Sequence, residues 1–76
     1  MNLREKLLRA LASGERKNGR ELKREAEASS YGATYDELNE MARESLVRVF
    51  AGTNDDGLRV IDYEITDRGR YEANRK

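Results

Sequence analysis

The chain has 76 residues, of which 39% are charged, and its 15 basic and 15 acidic side chains cancel to a formal net charge of zero. A chain of this length forms one domain with a small core. The absence of His and Cys excludes disulfide scaffolds, zinc fingers and catalytic pairs in which His activates Ser or Cys. No apolar run approaches the roughly 20 residues that cross a bilayer. Since the N-terminal residues are polar, we expect a soluble cytoplasmic protein without a membrane segment.

Three stretches in the first half of the chain have the pattern of amphipathic helices. In each, apolar residues recur at helical spacing, and a polar residue that can cap the helix stands three positions before a Glu. Such pairs mark helix starts because the cap side chain accepts a hydrogen bond from a free backbone N–H. The predicted helices cover about residues 2–13, 18–29 and 34–45, with caps at Asn2, Asn18 and Thr34.

The pattern changes in the second half to strands and a turn. Residues 46–51 and 58–65 alternate in polarity and are rich in β-branched side chains, and a cluster of turn residues ending in Asp-Gly separates them. This arrangement predicts an antiparallel hairpin. Thr66 is expected to cap a short final helix at about residues 66–73. Because a two-stranded hairpin is marginal by itself, it must pack on the helices, which predicts one α+β domain over residues 1–76.

The order of these elements, together with particular residues, resembles the winged helix-turn-helix domain of MarR- and PadR-like regulators. The segment from Tyr63 to Gly69 is similar to the Tyr-x-Leu-Thr-x-x-Gly pattern that closes the wing, the β-hairpin, in that family. Ser45 stands where the family usually has Gly, and the turn over residues 28–33 is longer than usual. The resemblance implies a DNA-binding module whose third helix enters the major groove. It covers about residues 7–71 and includes Glu21-Leu22, Thr34-Tyr35, Leu38, Met41 and Leu46-Val47.

Charge is unevenly distributed along the chain. Residues 1–30 carry a net charge of +3, residues 31–57 carry −4 and residues 58–76 carry +1. DNA affinity comes largely from Lys and Arg that neutralise phosphates. The predicted third helix and the tip of the hairpin are therefore the acidic part of the molecule, which opposes a simple DNA-reading surface.

The first functional hypothesis is a small double-stranded DNA-binding protein, either a transcriptional regulator or a mobile-element accessory protein. The basic cluster near the start of the second helix would contact phosphates, where backbone N–H groups also face the anion. The third helix would read bases, and the hairpin would add two arginines. The predicted DNA-binding residues are Arg16, Lys17, Asn18, Arg20, Lys23 and Arg24 for phosphates, Thr34, Asn39 and Arg43 for bases, and Arg48 and Arg59 on the wing.

The alternative hypothesis is a protein-interaction module of the same fold. An acidic face on the third helix would then dock on a basic surface of a partner, steered by complementary charge. The sign of the surface potential over the third helix discriminates between the two hypotheses. The residues of this predicted acidic face are Asp36, Glu37, Glu40 and Glu44.

An enzyme is the least favoured class. The carboxylates form no recognisable acid pair, no nucleophile has a base beside it, and no Gly-rich phosphate loop is present. We therefore predict no catalytic residue, no cofactor and no metal site. Because residues 66–76 offer only Tyr71 and Ala73 as apolar surface, we expect a monomer or a weak homodimer.

Overall fold

A computed structural model describes residues 1–75 as four helices and a three-stranded antiparallel sheet. Lys76, the last residue of the predicted domain, lies outside the described residues. In chain order, the elements are α1 (Leu3–Leu11), β1 (Lys17–Asn18), α2 (Gly19–Glu25), α3 (Tyr31–Arg43), β2 (Val47–Thr53), β3 (Arg59–Ile65) and α4 (Asp67–Asn74).

Polar side chains start three of the helices as the sequence predicts. Asn2, Asn18 and Thr66 each accept a hydrogen bond from the backbone N–H three residues further on, at 2.8, 2.9 and 3.0 Å. Each bond satisfies an N–H that has no partner inside its helix. These contacts confirm the caps of α1, α2 and α4.

The start of α3 differs from the prediction. The helix begins at Tyr31, and its cap is Ser30, whose hydroxyl accepts a hydrogen bond from the amide of Ala33 at 3.1 Å. Thr34 lies one turn inside the helix, is fully buried, and donates its hydroxyl to the carbonyl of Ser30 at 2.8 Å. The prediction of a cap at Thr34 is therefore wrong. Ser30 has the same capping chemistry, and the earlier start lets the hydroxyl of Thr34 be buried with a partner.

Both α2 and α3 end on a residue with left-handed backbone. Glu27 has a φ of 54° and Ser45 a φ of 63°. In each case the amide of the next residue donates to a carbonyl five positions back, at 3.0 and 2.8 Å respectively, which is the bonding of a Schellman motif. This reversal ends α2 at Glu25 rather than near residue 29.

The sheet has the strand order β1-β3-β2. The hairpin pairs from Val47 with Ile65 to Thr53 with Arg59. The two-residue strand β1 pairs with the other edge of β3, and the sequence did not predict it because two residues show no periodicity. From the pair of Val49 with Tyr63 toward the tip, the outer half of the hairpin extends past the core and is mostly exposed. We call this β2–β3 hairpin the wing.

The core lies between the helices and the inner face of the sheet. Burial in it raises the pKa of the Tyr63 phenol above its ordinary value, since a low-dielectric environment disfavours the phenolate. In the part of the chain that the structure describes, no helix has the length and apolarity needed to cross a membrane. The buried apolar residues are Leu7, Leu8, Leu11, Leu22, Ala26, Leu38, Met41, Leu46, Val47, Tyr63 and Ile65.

Candidate nucleic-acid interface

The helix α3 has one buried and one exposed stripe. Thr34, Leu38 and Met41 are fully buried at helical spacing. Residues on the opposite side of the helix are exposed, as expected for an amphipathic helix packed on a core. We call this side, formed by Asp36, Asn39, Glu40 and Arg43, the outward face of α3.

Two of the three residues predicted to contact bases lie on the outward face. Asn39 and Arg43 are exposed there, and the side chain of Arg43 is 73% exposed. Thr34 has no exposed surface. The prediction that Thr34 contacts bases is corrected for this reason: its position in the period of α3 places it in the core.

Two of the four acidic residues predicted for the third helix, Glu37 of α3 and Glu44 directly after it, are bound by an arginine of α1. The Nε of Arg4 lies 3.0 Å from Oε2 of Glu37, and its Nη1 and Nη2 lie 3.0 and 2.6 Å from the two carboxylate oxygens of Glu44. The hydrogen bond to Arg4 lowers the pKa of Glu44, and the same bond raises the pKa of Arg4. Both carboxylates thus face α1. We call the side of α3 that carries Glu37 and Glu44 the α1 flank.

The remaining two acidic residues of α3 lie on the outward face. Glu40 binds Arg43 one turn away, with 2.7 Å between Nη1 and Oε1. Within residues 1–75, Asp36 makes no ion pair. The four carboxylates therefore do not form one free acidic surface, which corrects the prediction of a contiguous acidic docking face.

Aromatic side chains occupy the other side of α3. The rings of Tyr31 and Tyr35 stack with centroids 6.3 Å apart and planes inclined by 22°. The ammonium group of Lys23 lies 5.1 Å from the ring centre of Tyr31, within range of a cation–π contact. The Tyr35 ring packs against Gly19 at the start of α2. We call the side of α3 that carries Tyr31 and Tyr35 the α2 flank.

Tyr31 and Tyr35 are not among the predicted site residues, although both side chains are partly exposed, by 47% and 36%. The feature of the sequence that indicates a shared surface is their separation of four residues. Residues four apart share a face of a helix, but this spacing is informative only once Ser30 is recognised as the cap of α3.

The basic residues of α2 and of β1, which directly precedes it, differ in how exposed their side chains are. Arg20 and Arg24 are exposed on one face of the helix and make no ion pair within the described residues. Lys17, in contrast, donates to the carbonyl of Ala10 and to Glu25, both at 2.7 Å, and its side chain is only 13% exposed. The predicted phosphate contact of Lys17 gains no support from the structure, because its ammonium group already joins α1 to α2.

Asn18, also predicted as a phosphate contact, has its side-chain oxygen engaged with the amide of Glu21. Its role in the structure is to cap α2. The polar and basic residues around residue 18 therefore have different roles. Asn18 caps α2 and Lys17 joins α1 to α2, whereas Arg20 and Arg24 face solvent.

Arginines also line the wing. Arg16 and Arg48 lie on either side of Glu64, at 3.5 and 3.8 Å, and the guanidinium of Arg16 lies 3.7 Å from the centre of the Phe50 ring. Arg59 is exposed at the start of β3 and makes no ion pair within residues 1–75. The cations of the wing are thus on its strands.

The tip of the wing is a tight polar turn. The side chain of Asn54 accepts from the amides of Asp56 and Leu58, each at 3.0 Å, and Gly57 takes a φ of 78°. The tip carries carboxylates and no cation. Across the described part of the chain, no group of three or more acidic side chains is placed to hold a metal ion.

Comparisons with known proteins give the class of this fold. A scan against protein-family models finds no match, and a search of curated proteins finds no significant match. Among solved structures, PadR of Bacillus subtilis, in complex with operator DNA, is similar to this chain with a TM-score of 0.82 and 19% identity. The similarity covers 93% of this chain and 44% of that one, so this chain spans less than half of the PadR length.

Two further structures show the same similarity. A PadR family transcription regulator from Clostridium difficile matches with a TM-score of 0.80 at 17% identity, over 93% of this chain and 78% of that one. A PadR-like transcriptional regulator from Bacillus cereus matches with a TM-score of 0.76 at 25% identity, over 93% and 73%. The chain therefore has a winged helix-turn-helix fold. The predicted resemblance to PadR-like regulators is confirmed at the level of this fold.

Proposed function

We propose that this chain is a DNA-binding winged-helix domain of a transcriptional regulator. Its fold is that of PadR of Bacillus subtilis, which was solved with operator DNA. In such domains the helix equivalent to α3 lies in the major groove. The observation that carries the proposal is the exposure of Asn39 and Arg43 on the outward face of α3. That face also carries Asp36 and Glu40, and Glu40 is paired with Arg43, while Arg4 binds the other two carboxylates, Glu37 and Glu44, on the α1 flank.

The exposed residues of α3 suit base recognition. The amide of Asn39 can bond the N6 and N7 atoms of adenine, and the guanidinium of Arg43 can bond the O6 and N7 atoms of guanine. On binding, Arg43 would break its exposed ion pair with Glu40 and bond the guanine instead. Exposed ion pairs of this kind are worth less than about 1 kcal/mol, so the exchange costs little.

Phosphate contacts would come from two places on either side of α3. Contacts of this kind set the register of a protein on the duplex without reading its sequence. The exposed Arg20 and Arg24 and the half-buried Lys23 would bind one strand of the duplex, and the arginines on and beside the wing would bind the backbone nearby. The proposed phosphate contacts are Arg20, Lys23 and Arg24 on α2, and Arg16, Arg48 and Arg59 at the wing.

In this proposal the chain is a binding module rather than an enzyme, and it acts in the cytoplasm, where it has access to DNA. A monomer or a weak homodimer remains the expected state. Analytical ultracentrifugation across a range of protein concentrations measures that state directly.

The experiment is a salt titration of binding to a labelled duplex of random sequence, followed by fluorescence anisotropy. Each phosphate contact contributes a slope of about −0.9 to the dependence of log K on log salt concentration. The double variant Arg20→Ala, Arg24→Ala should reduce the magnitude of this slope by about 2. The matched control is Lys6→Ala, Arg9→Ala, which removes the same charge from α1 beside Glu25 and Glu27.

The control should leave the slope within about 0.5 of that of the unmodified protein, because non-contacting charges release no condensed ions. Absence of binding at low salt would contradict the proposal. Equal losses in both double variants would show that net charge, rather than the face formed by Arg20 and Arg24, determines binding.

A further inference from the structure

We propose that Arg4 is a positioning residue for DNA binding: it holds the carboxylates of Glu37 and Glu44 against α1, so that they do not oppose the approach of phosphates to α3. The inference rests on the proposed function and extends it to a residue outside the DNA-contacting set. Arg4 belongs to α1, and it acts on DNA binding through two side chains of α3.

The geometry of the contact is specific to arginine. Three guanidinium nitrogens of Arg4 are used, with Nε on Glu37 and the Nη1 and Nη2 pair on both oxygens of Glu44. A planar fork can hold two carboxylates in this way, whereas an ammonium group is a point charge. The side chains of Arg4 and Glu37 are only 32% and 27% exposed, so the packing around them restricts their rotation.

The position of the two carboxylates explains why their orientation matters. Glu37 and Glu44 are seven residues apart, which is about two turns, and therefore lie above one another on the α1 flank. Glu44 directly follows Arg43 of the outward face, so it lies about 100° around the helix from a proposed base contact. Flexible carboxylates there would come within a Debye length, about 8–10 Å, of phosphates lining the groove.

Arg4 carries a positive charge of its own, and the experiment has to separate that charge from the positioning effect. A double-mutant cycle does so. The first change in the cycle is Arg4→Gln. The second is the pair Glu37→Gln and Glu44→Gln, which removes both negative charges and leaves side chains of similar size. Arg9→Gln is the matched control, since Arg9 is an exposed arginine of α1 that makes no ion pair within residues 1–75.

The measurement is the Kd for a random duplex at about 0.1 M salt, with folding of each variant checked by circular dichroism. We expect Arg4→Gln to weaken binding about fivefold, because the freed carboxylates of Glu37 and Glu44 would repel nearby phosphates. In the Glu37→Gln, Glu44→Gln background, the same Arg4 change should weaken binding less than about twofold. Arg9→Gln should also change Kd less than about twofold.

The salt slope distinguishes positioning from direct contact. If Arg4 bound phosphate, Arg4→Gln would reduce the slope by about 1 and would weaken binding equally in both backgrounds; either result overturns the inference. Should Arg4→Gln fail to fold, Arg4→Lys replaces it, because Lys keeps the positive charge but lacks the planar guanidinium. A loss of affinity in Arg4→Lys that Glu37→Gln with Glu44→Gln restores supports the inference. Failure of the unmodified protein to bind would overturn the proposed function as well, whereas an unchanged Kd for Arg4→Gln would overturn this inference alone.

Discussion

The two flanks of α3 are held by different physical means. On the α1 flank, Arg4 joins Glu37 and Glu44 by charged hydrogen bonds. On the α2 flank, Tyr31 and Tyr35 stack on each other, and Tyr35 packs against Gly19. One flank therefore depends on charge and the other on shape, and the outward face of α3 lies between them.

This difference shows why charge counted along a sequence gives a poor picture of a helix surface. Residues 31–57 carry a net charge of −4, which suggests an acidic third helix. In the folded chain the carboxylates are distributed around the helix, and Arg4, 33 residues before Glu37 in sequence, neutralises part of that charge. The relevant unit is the face that meets the ligand, and its charge depends on neighbours in space.

The largest expected effect comes from removing the buried stripe that holds α3 between the two flanks. Leu38 is fully buried, and Leu38→Ala should lower the free energy of unfolding by about 3 kcal/mol through lost apolar contact and a residual cavity. Asn39→Ala, one residue away on the outward face, should change it by less than about 0.5 kcal/mol. Urea unfolding measures both variants, and similar losses in the two would mean that α3 is not anchored by this stripe.

A smaller effect tests the shape of the α2 flank. A Cβ at Gly19 would overlap with the hydroxyl and ring edge of Tyr35, so Gly19→Ala must displace that ring. Since Tyr35 is 36% exposed, the ring can move outward, and we expect a loss of about 1 kcal/mol. NMR contacts between the rings of Tyr31 and Tyr35 should weaken at the same time.

The matched control is Gly32→Ala on α3. A Cβ at Gly32 would meet only the hydroxyl of Ser30, at an ordinary contact distance of 3.9 Å. That substitution should stabilise the protein by about 0.5–1 kcal/mol, because Ala has the higher helix propensity. Stabilisation by both substitutions would show that the contact between Gly19 and Tyr35 does not constrain the α2 flank.

A third prediction concerns Ser45, the residue with left-handed backbone that follows α3. Ser45 occupies a left-handed position with a φ of 63°, which costs an L-residue about 1–2 kcal/mol and Gly very little. Ser45→Gly should therefore raise the free energy of unfolding by about 0.5–1 kcal/mol, net of the greater entropy of Gly in the unfolded chain. Ser45→Ala keeps the backbone strain and should not raise the free energy of unfolding. An equal rise for Ala would show that left-handed strain at Ser45 is not the cause.

The sequence predicted the order of the main elements because their signals are local. The caps at Asn2, Asn18 and Thr66 and the alternating strands are each visible within a few residues. The strand β1 and the hydrogen bond from Lys17 to the carbonyl of Ala10 were not predicted because both depend on contacts between separate elements. Thr34 was misplaced since Ser30 and Thr34 are both competent caps, and only packing against the core decides between them.

The smallest expected effect tests whether the α1 flank depends on charge. Arg4 lowers the pKa of Glu44 from its ordinary value of 4.5, so the pair stabilises the fold above that value, and its contribution is lost as the pH falls through the lowered pKa. Glu44→Gln should therefore reduce Tm at pH 7, and the difference from the unmodified protein should disappear as the pH falls through the lowered pKa. In an Arg4→Gln background the same substitution should produce a much smaller pH-dependent difference, because only the charge of Arg68 then still lowers the pKa of Glu44. A difference in Tm that stays constant as Glu44 becomes protonated would show that Glu44 stabilises α3 by packing, and that the two flanks are held by the same kind of contact.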